Sequence, residues 1–155
     1  ALPTLLQSAL RKNPEASVSR VNLADLYRTL GSEAAARETL ETGIALNADD
    51  GALWFSLALL EVREGNAKQG LQALAKAASL EETPGYYHYV LAVAQNDQGL
   101  STEALATLKA THRAAPGQPN VLAALMQYSQ LAGDRQSAQR YRDELRATVQ
   151  AAGLQ

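Results

Sequence analysis

The stretch that decides the fold is residues 51–84, which read GALWFSLALLEVREGNAKQGLQALAKAASLEETP. Its landmarks are Leu57 and Ala58, then Gly65, then Gly70 and Leu74. Similar landmarks recur along the chain at a spacing of 34 residues, and the recurring turn glycines are Gly31, Gly65, Gly99 and Gly133. A fixed period of this length is the signature of a repeat architecture, in which each copy is one supersecondary unit.

The positions that recur every 34 residues form columns when the copies are aligned, and each column has a structural explanation. A glycine that ends a helix adopts a left-handed conformation without a Cβ clash, and a small residue in the next helix lets two helices approach closely. Leucines fill the space between neighbouring helix pairs, because one pair alone cannot bury its apolar face. The columns around the glycines are Leu23, Leu57, Leu91 and Leu125; Ala24, Ala58, Ala92 and Met126; Ala36, Gly70, Ala104 and Ala138; and Leu40, Leu74 and Leu108, with Arg142 in the fourth copy.

The same pattern predicts an all-α chain, since alanine and leucine dominate the apolar residues and no segment reads as a strand. The predicted first helices lie near 15–30, 51–64, 85–98 and 119–132, and the second helices near 33–46, 67–80, 102–114 and 135–151. Candidate N-caps of the second helices are Ser32, Asn66, Ser101 and Asp134. Pro14, Pro84 and Pro119 suit the first turn of a helix.

This pattern resembles the tetratricopeptide repeat (TPR). The second copy carries the family's landmarks as Trp54, Leu57, Ala58, Gly65, Gly70, Leu74 and Ala77. Arg20 and His88 depart from the family's tryptophan, and Gly43 and Thr111 depart from its late alanine. The resemblance implies a right-handed superhelical solenoid of antiparallel helix pairs, forming a single domain over residues 1–155. Its parts are a half repeat at 1–16, four repeats at 17–50, 51–84, 85–118 and 119–152, and a tail at 153–155.

The half repeat rests on the start of the chain. Leu2, Leu6 and Ala9 fall 34 residues before Ala36, Leu40 and Gly43, so residues 3–12 read as a second helix without its first. Together with a start at Ala1 rather than Met, this suggests a mature form or a piece of a longer array. A natural N-terminal capping helix is the alternative. At the other end, a polar last helix suits a terminal cap that faces water.

The resemblance also implies a concave groove, lined mostly by first helices, that binds a protein or peptide ligand. The residues it places there are Val21, Asp25, Arg28, Phe55, Leu59, Val62, Arg63, Tyr86, Tyr89, Val93, Asn96, Asp97, Ala123, Gln127 and Gln130. Phe55, Tyr86 and Tyr89 are the expected anchors, because aromatic side chains offer large contact area at low entropic cost. The alternative is that they pack between repeats. The cations with which some TPR domains grip a carboxylate terminus have no counterpart here, so an apolar or helical ligand fits better.

Composition argues against several other classes. A net charge of −2 without a basic stripe disfavours nucleic-acid binding, and no apolar run is long enough for membrane insertion. The chain has no cysteine, and its only histidines, His88 and His112, lie on different predicted helices. We expect a packing role for His88 and a surface role for His112. No catalytic or metal site, no cofactor and no enzymatic activity are therefore predicted.

Two further hypotheses concern context. The stretches 21–28 and 87–94 resemble TPR modules of bacterial periplasmic multihaem cytochrome-like proteins, which would place any haem outside this chain and favour the periplasm over the cytoplasm. The second hypothesis is homo-oligomer formation, in which the unpaired helix near Leu2–Leu10 leaves apolar surface for another copy to cover.

Overall fold

The computed structural model describes residues 4–5, 17–80 and 85–153. Eight helices lie within residues 17–80 and 85–153, and no strand occurs there. They are α1 (Ser17–Thr29), α2 (Glu33–Leu46), α3 (Gly51–Arg63), α4 (Ala67–Ser79), α5 (Gly85–Asp97), α6 (Ser101–Ala114), α7 (Pro119–Leu131) and α8 (Arg135–Ala151). The all-α class and the helical repeat fold are thus confirmed, and each helix begins and ends within two residues of its predicted bounds.

The chain forms two compact units. The N-terminal unit, Ala1–Thr83, contains α1 to α4, and the C-terminal unit, Pro84–Gln155, contains α5 to α8. In each unit, consecutive helices pack against one another, so that the second helix of one hairpin also contacts the first helix of the next. The predicted half repeat at 1–16 and the helix starts at Pro14 and Pro84 lie outside the described residues. The single domain and its repeat borders stay predictions.

The turn within each hairpin is built on the recurring glycine. The four glycines have φ between 74° and 84°, as the left-handed prediction requires. In the first turn, the Ser32 N–H donates to the Tyr27 carbonyl at 2.8 Å, which closes the chain over Gly31. Equivalent bonds run from Asn66 to Glu61, from Leu100 to Gln95 and from Asp134 to Ser129. These bonds satisfy carbonyl groups at the helix end and direct the chain into the second helix.

The predicted N-caps are only partly right. The Asp134 carboxylate accepts from the Ser137 N–H at 3.0 Å, whereas Ser32 occupies its N-cap position without a side-chain hydrogen bond. The prediction of Ser101 is wrong, because Leu100 is the N-cap of α6. Its carbonyl accepts from the Ala104 N–H at 2.9 Å, so the helix begins one residue earlier than the side-chain pattern indicated. In this turn the backbone alone sets the start.

The N-terminal unit contains an apolar core and a polar cluster around Arg37. The core joins Ala24, Ala36, Leu40, Leu53, Leu57 and Leu60 from α1, α2 and α3. Beside it, Arg37 of α2 reaches across to α3, where it pairs with Glu61 at 2.5 Å and with Glu64. Glu61 is buried and also accepts from Asn66 Nδ2 at 2.9 Å. The hydrogen bond from Arg37 lowers the pKa of Glu61, and the same bond raises the pKa of Arg37.

The C-terminal unit has its own core. It consists of Ala92, Ala104, Leu108, Val121, Leu122, Ala124, Leu125, Tyr128 and Tyr141, drawn from all four of its helices. The leucine column therefore serves as predicted, since Leu108 of α6 is fully buried against the first helix that follows. In the last helix Tyr141 takes over this role, and Arg142 is exposed.

Candidate functional site

In the N-terminal unit the predicted site residues lie on two neighbouring first helices. On α3, Phe55, Leu59, Val62 and Arg63 share one face by their helical spacing. Phe55 is half-buried, whereas 44% of Leu59 and 48% of Val62 are exposed. Val62 also covers Gly70 of α4, where a Cβ would lie 2.6 Å from its Cγ2. The exposed aliphatic surface of α3 is therefore centred on Leu59.

The neighbouring helix α1 contributes polar groups. Asp25 and Arg28 are exposed and lie 3.8 Å apart, from Oδ1 to Nε. An exposed pair at this distance stabilises the fold little and leaves both groups accessible to a ligand. Val21, on the same side of α1, is partly buried against the core of the unit. We call the surface formed by Asp25, Arg28, Phe55, Leu59 and Val62 the first-helix face.

In the C-terminal unit the tyrosines of α5 divide between two roles. Tyr86 is 55% exposed, whereas Tyr89 is half-buried and packs against the core. Their ring centroids lie 6.4 Å apart with a tilt of 32°. Farther along the same helix Val93 and Asn96 are half-buried and Asp97 is exposed. Tyr86 is thus the accessible aromatic of this helix, and Tyr89 supports it from the core.

The first helix α7 presents a mainly polar outer side. Gln127 and Gln130 are exposed and Ala123 is half-buried. Sequence reasoning missed Tyr128, which the structure buries near Asp97 and Tyr89: burial raises the pKa of its phenol, and the charges of these two neighbours raise it further. The available signal was its position three residues after the buried Leu125, which places both on one helix face. A single groove along all four first helices stays a prediction.

The histidines lie away from these faces. His88 is half-buried on α5, in line with a packing role. The surface role predicted for His112 is wrong, because it is partly buried between α6 and α8. Its Nε2 lies 3.1 Å from the Glu144 Oε1, and its ring meets Tyr141 edge-on at 6.0 Å. Among the described residues no group of three or more His, Asp or Glu side chains could hold a metal ion.

Over the part of the chain that the structure describes, every helix is too short or too polar to cross a bilayer.

Comparisons with known proteins agree with this architecture. Residues 4–60 match the sequence profile of the tetratricopeptide repeat. The crystal structure of MamA is similar with a TM-score of 0.81 at 16% identity, over 97% of this chain and 88% of that protein. YrrB, described as a TPR protein with an unusual peptide-binding site, is similar with a TM-score of 0.71 at 18% identity, over 94% and 75%. For pilF of Pseudomonas aeruginosa the score is 0.76 at 16% identity, over 92% and 65%.

These identities are too low for the structures to indicate more than a shared fold. No curated protein matches the chain significantly. Neither the profile nor the three structures indicates an enzymatic family, and neither supports attachment to a multihaem cytochrome-like protein. Residues 4–60 thus match the tetratricopeptide-repeat profile, and the chain shares the helical repeat fold of these structures.

Proposed function

We propose that this chain is a protein-interaction module whose first-helix face holds a peptide or a helix of a partner protein. The observation that carries the proposal is the exposure of Leu59 and Val62 on one side of α3, next to the half-buried ring of Phe55. When a ligand covers water-exposed aliphatic residues beside an aromatic ring, the burial of their apolar surface contributes favourably to the free energy of binding. The peptide-binding site that the description of YrrB mentions belongs to that protein and supports ours by analogy of fold alone.

The charges around this surface define the ligand further. Asp25 and Arg28 lie on the neighbouring α1, and Arg63 ends α3, so the aliphatic centre has polar groups of both signs at its rim. A ligand that fits carries aliphatic side chains at helical or extended spacing, flanked by charged residues that pair with this rim. Buried aliphatic contacts supply most of the affinity in such an interface, and the rim supplies orientation.

Selection from a random peptide library followed by calorimetric titration of the best binder tests the proposal. Leu59→Ser should weaken that peptide about fivefold, since covering the exposed part of one leucine contributes about 1 kcal/mol. Leu131→Ser is the matched control, because Leu131 is an exposed leucine on α7, in the other unit. Equal affinity of the Leu59→Ser variant and the wild type, or equal losses in both variants, would contradict the assignment of the face.

The alternative function is self-association into a homo-oligomer through the N-terminal segment. It rests on Leu2–Leu10, most of which lies outside the described residues. Light scattering at high protein concentration tests it independently of any ligand, because a strict monomer would reject it. Leu59→Ser should leave the outcome of that measurement unchanged.

A further inference from the structure

The far end of the C-terminal unit carries an open groove between α7 and α8. It has a volume of about 330 Å³ and is lined by Gln130, Arg135, Ala138, Gln139 and Arg142. All except Ala138 are exposed. Its residues differ from those of the first-helix face, and its lining is polar and cationic. A ligand for it must differ from the aliphatic ligand proposed above.

The repeat shows what such a groove accepts. Three repeats earlier, Ala36, Arg37 and Leu40 stand on α2 at the positions of Ala138, Gln139 and Arg142. There the surface is covered by the next first helix, α3. Ala36 and Leu40 pack against Leu53, Leu57 and Leu60 of that helix, and Arg37 pairs with Glu61 and Glu64.

The C-terminal unit repeats this arrangement once more. Ala104 and Leu108 of α6 are covered by Val121, Leu122 and Leu125 of α7. By analogy with α2 and α6, the corresponding side of α8 is the surface on which a following helix would pack.

This surface of α8 differs in charge from the equivalent surfaces of α2 and α6. Arg142 stands where α2 has Leu40, and Arg146 stands where α2 has the half-buried Ile44. Together with Arg135 they occupy one side of α8, and the seven-position separation of Arg135 and Arg142 corresponds to about 10 Å along the helix axis. None of these three arginines makes an ion pair with a described residue.

The acidic groups of α8 are already engaged. The Asp143 carboxylate, at the edge of the groove, accepts from Gln139 Nε2 at 2.9 Å, and Glu144 pairs with His112. The fourth arginine of the helix, Arg140, lies over the Tyr141 ring at 5.1 Å. Arg135, Arg142 and Arg146 therefore have no ion-pair partner among the described residues, while Asp143 keeps its negative charge beside Gln139.

We propose that this groove binds an acidic helix of a partner protein, seated in the register of a following first helix. Carboxylates on one side of the incoming helix pair with Arg135, Arg142 and Arg146, in place of the apolar side chains that fill this register on α3 and α7. Arginine suits this role because its planar guanidinium binds a carboxylate through two parallel hydrogen bonds.

A peptide taken from the chain itself provides the probe. It has the sequence of residues 51–64 with Leu53→Glu, Leu57→Glu and Leu60→Glu, so that carboxylates replace the leucines that face α2, and a hydrocarbon staple holds it helical. The control peptide carries Leu→Gln at the same three positions. Fluorescence anisotropy measures binding of both to the full chain.

We expect the acidic peptide to bind and the control peptide to bind at least about tenfold more weakly, the difference expected for one well-formed charge pair. The Arg135→Gln/Arg142→Gln variant should lose about tenfold in affinity for the acidic peptide, and binding should weaken as salt is raised from about 0.05 M to about 0.5 M. Arg113→Gln, which removes an exposed cation of α6 that does not line the groove, should change the affinity less than twofold. Circular dichroism checks that each variant is folded.

Several results would overturn the proposal. They are equal binding of the two peptides, an unchanged affinity in the double variant, or no binding at all, which would leave the groove as a solvated cap. Tighter binding to anionic lipid vesicles than to the peptide would assign the cations to a lipid surface. Self-association that Arg142→Gln abolishes would place a second copy there. None of these outcomes bears on the Leu59 test, since the two surfaces use different residues.

Discussion

Replacing Arg37 by Met should destabilise the N-terminal unit by about 2–3 kcal/mol. In the wild type, Arg37 Nη1 lies 2.5 Å from Glu61 Oε1, and the Glu61 side chain is only 10% exposed. Met keeps much of the aliphatic volume and removes the charge, so Glu61 retains the Asn66 amide as its remaining side-chain hydrogen-bond partner. Because 28% of the Arg37 side chain is exposed, water replaces part of the lost contact, and the cost stays below that of breaking a fully buried pair.

Urea unfolding followed by Trp54 fluorescence measures this cost. Trp54 is the only tryptophan in the chain and lies on α3, so it reports on the N-terminal unit, whereas far-ultraviolet circular dichroism reports on both units. A double-mutant cycle with Glu61→Gln isolates the interaction between Arg37 and Glu61, for which we expect about 1–2 kcal/mol. A cost below about 0.5 kcal/mol for Arg37→Met, or a coupling near zero, would refute the role given to this pair.

The pH dependence provides a second check with a definite sign. The hydrogen bond from Arg37 holds the pKa of Glu61 below its ordinary value of 4.5, so the unfolded state binds more protons in that range. The stabilisation by this pair is therefore present above about pH 4.5 and is lost as the pH falls through the folded-state pKa. Burial acts in the opposite direction on the same pKa, and it dominates once Arg37 is removed. The wild type and the Arg37→Met variant should thus converge in acid, and a constant difference between about pH 7 and about pH 3 would contradict the argument.

Two further predictions concern the helix ends. Gly99→Ala should lower the free energy of unfolding by about 1 kcal/mol, because Gly99 has φ of 80° and a residue with a Cβ is strained there although no neighbour is close. Thermal unfolding measures this loss. An unchanged stability would contradict the requirement for a left-handed residue. Asp50→Ala should cost about 1 kcal/mol, since the Asp50 carboxylate accepts from the N–H groups of Ala52 and Leu53. Ser32→Ala should cost much less, because the Ser32 side chain makes no cap hydrogen bond; equal losses in urea unfolding would show that capping does not distinguish the two positions.

The helices were predictable because their determinants are local. A glycine such as Gly65 needs only its own φ to end a helix, and the spacing of Leu57 and Leu74 around it marks which sides face the core. The cap at Ser101 was predicted wrongly because Leu100, which has no polar side chain, serves as the N-cap. A helix start that is set by the backbone of the preceding turn leaves no capping side chain in the sequence, so a search for cap residues does not find it.

The sequence predicted which positions belong to the candidate site, but it predicted less well which of their side chains are exposed to solvent. Leu59 and Tyr86 are accessible, as a binding surface requires, but Tyr89 packs against the core and Val62 covers Gly70 of the partner helix. Helical spacing places a residue on a side of its helix. How much of that side a neighbouring helix covers depends on the packing of the two.

From its period and its recurring apolar positions, the sequence by itself determined that the chain forms paired helices, the bounds of each helix to within two residues, and which leucines are buried. These features depend on residues within one turn or one repeat. Only the tertiary structure decided the fate of the polar positions. Glu61 stands where the first repeat has Tyr27 and is buried because Arg37 of the preceding helix reaches it. Arg142 stands in the leucine column and is exposed because no described helix covers it. A charged side chain is tolerated where it is either paired with another polar group or hydrated. Only the packing of the helices determines which of these applies at a given position.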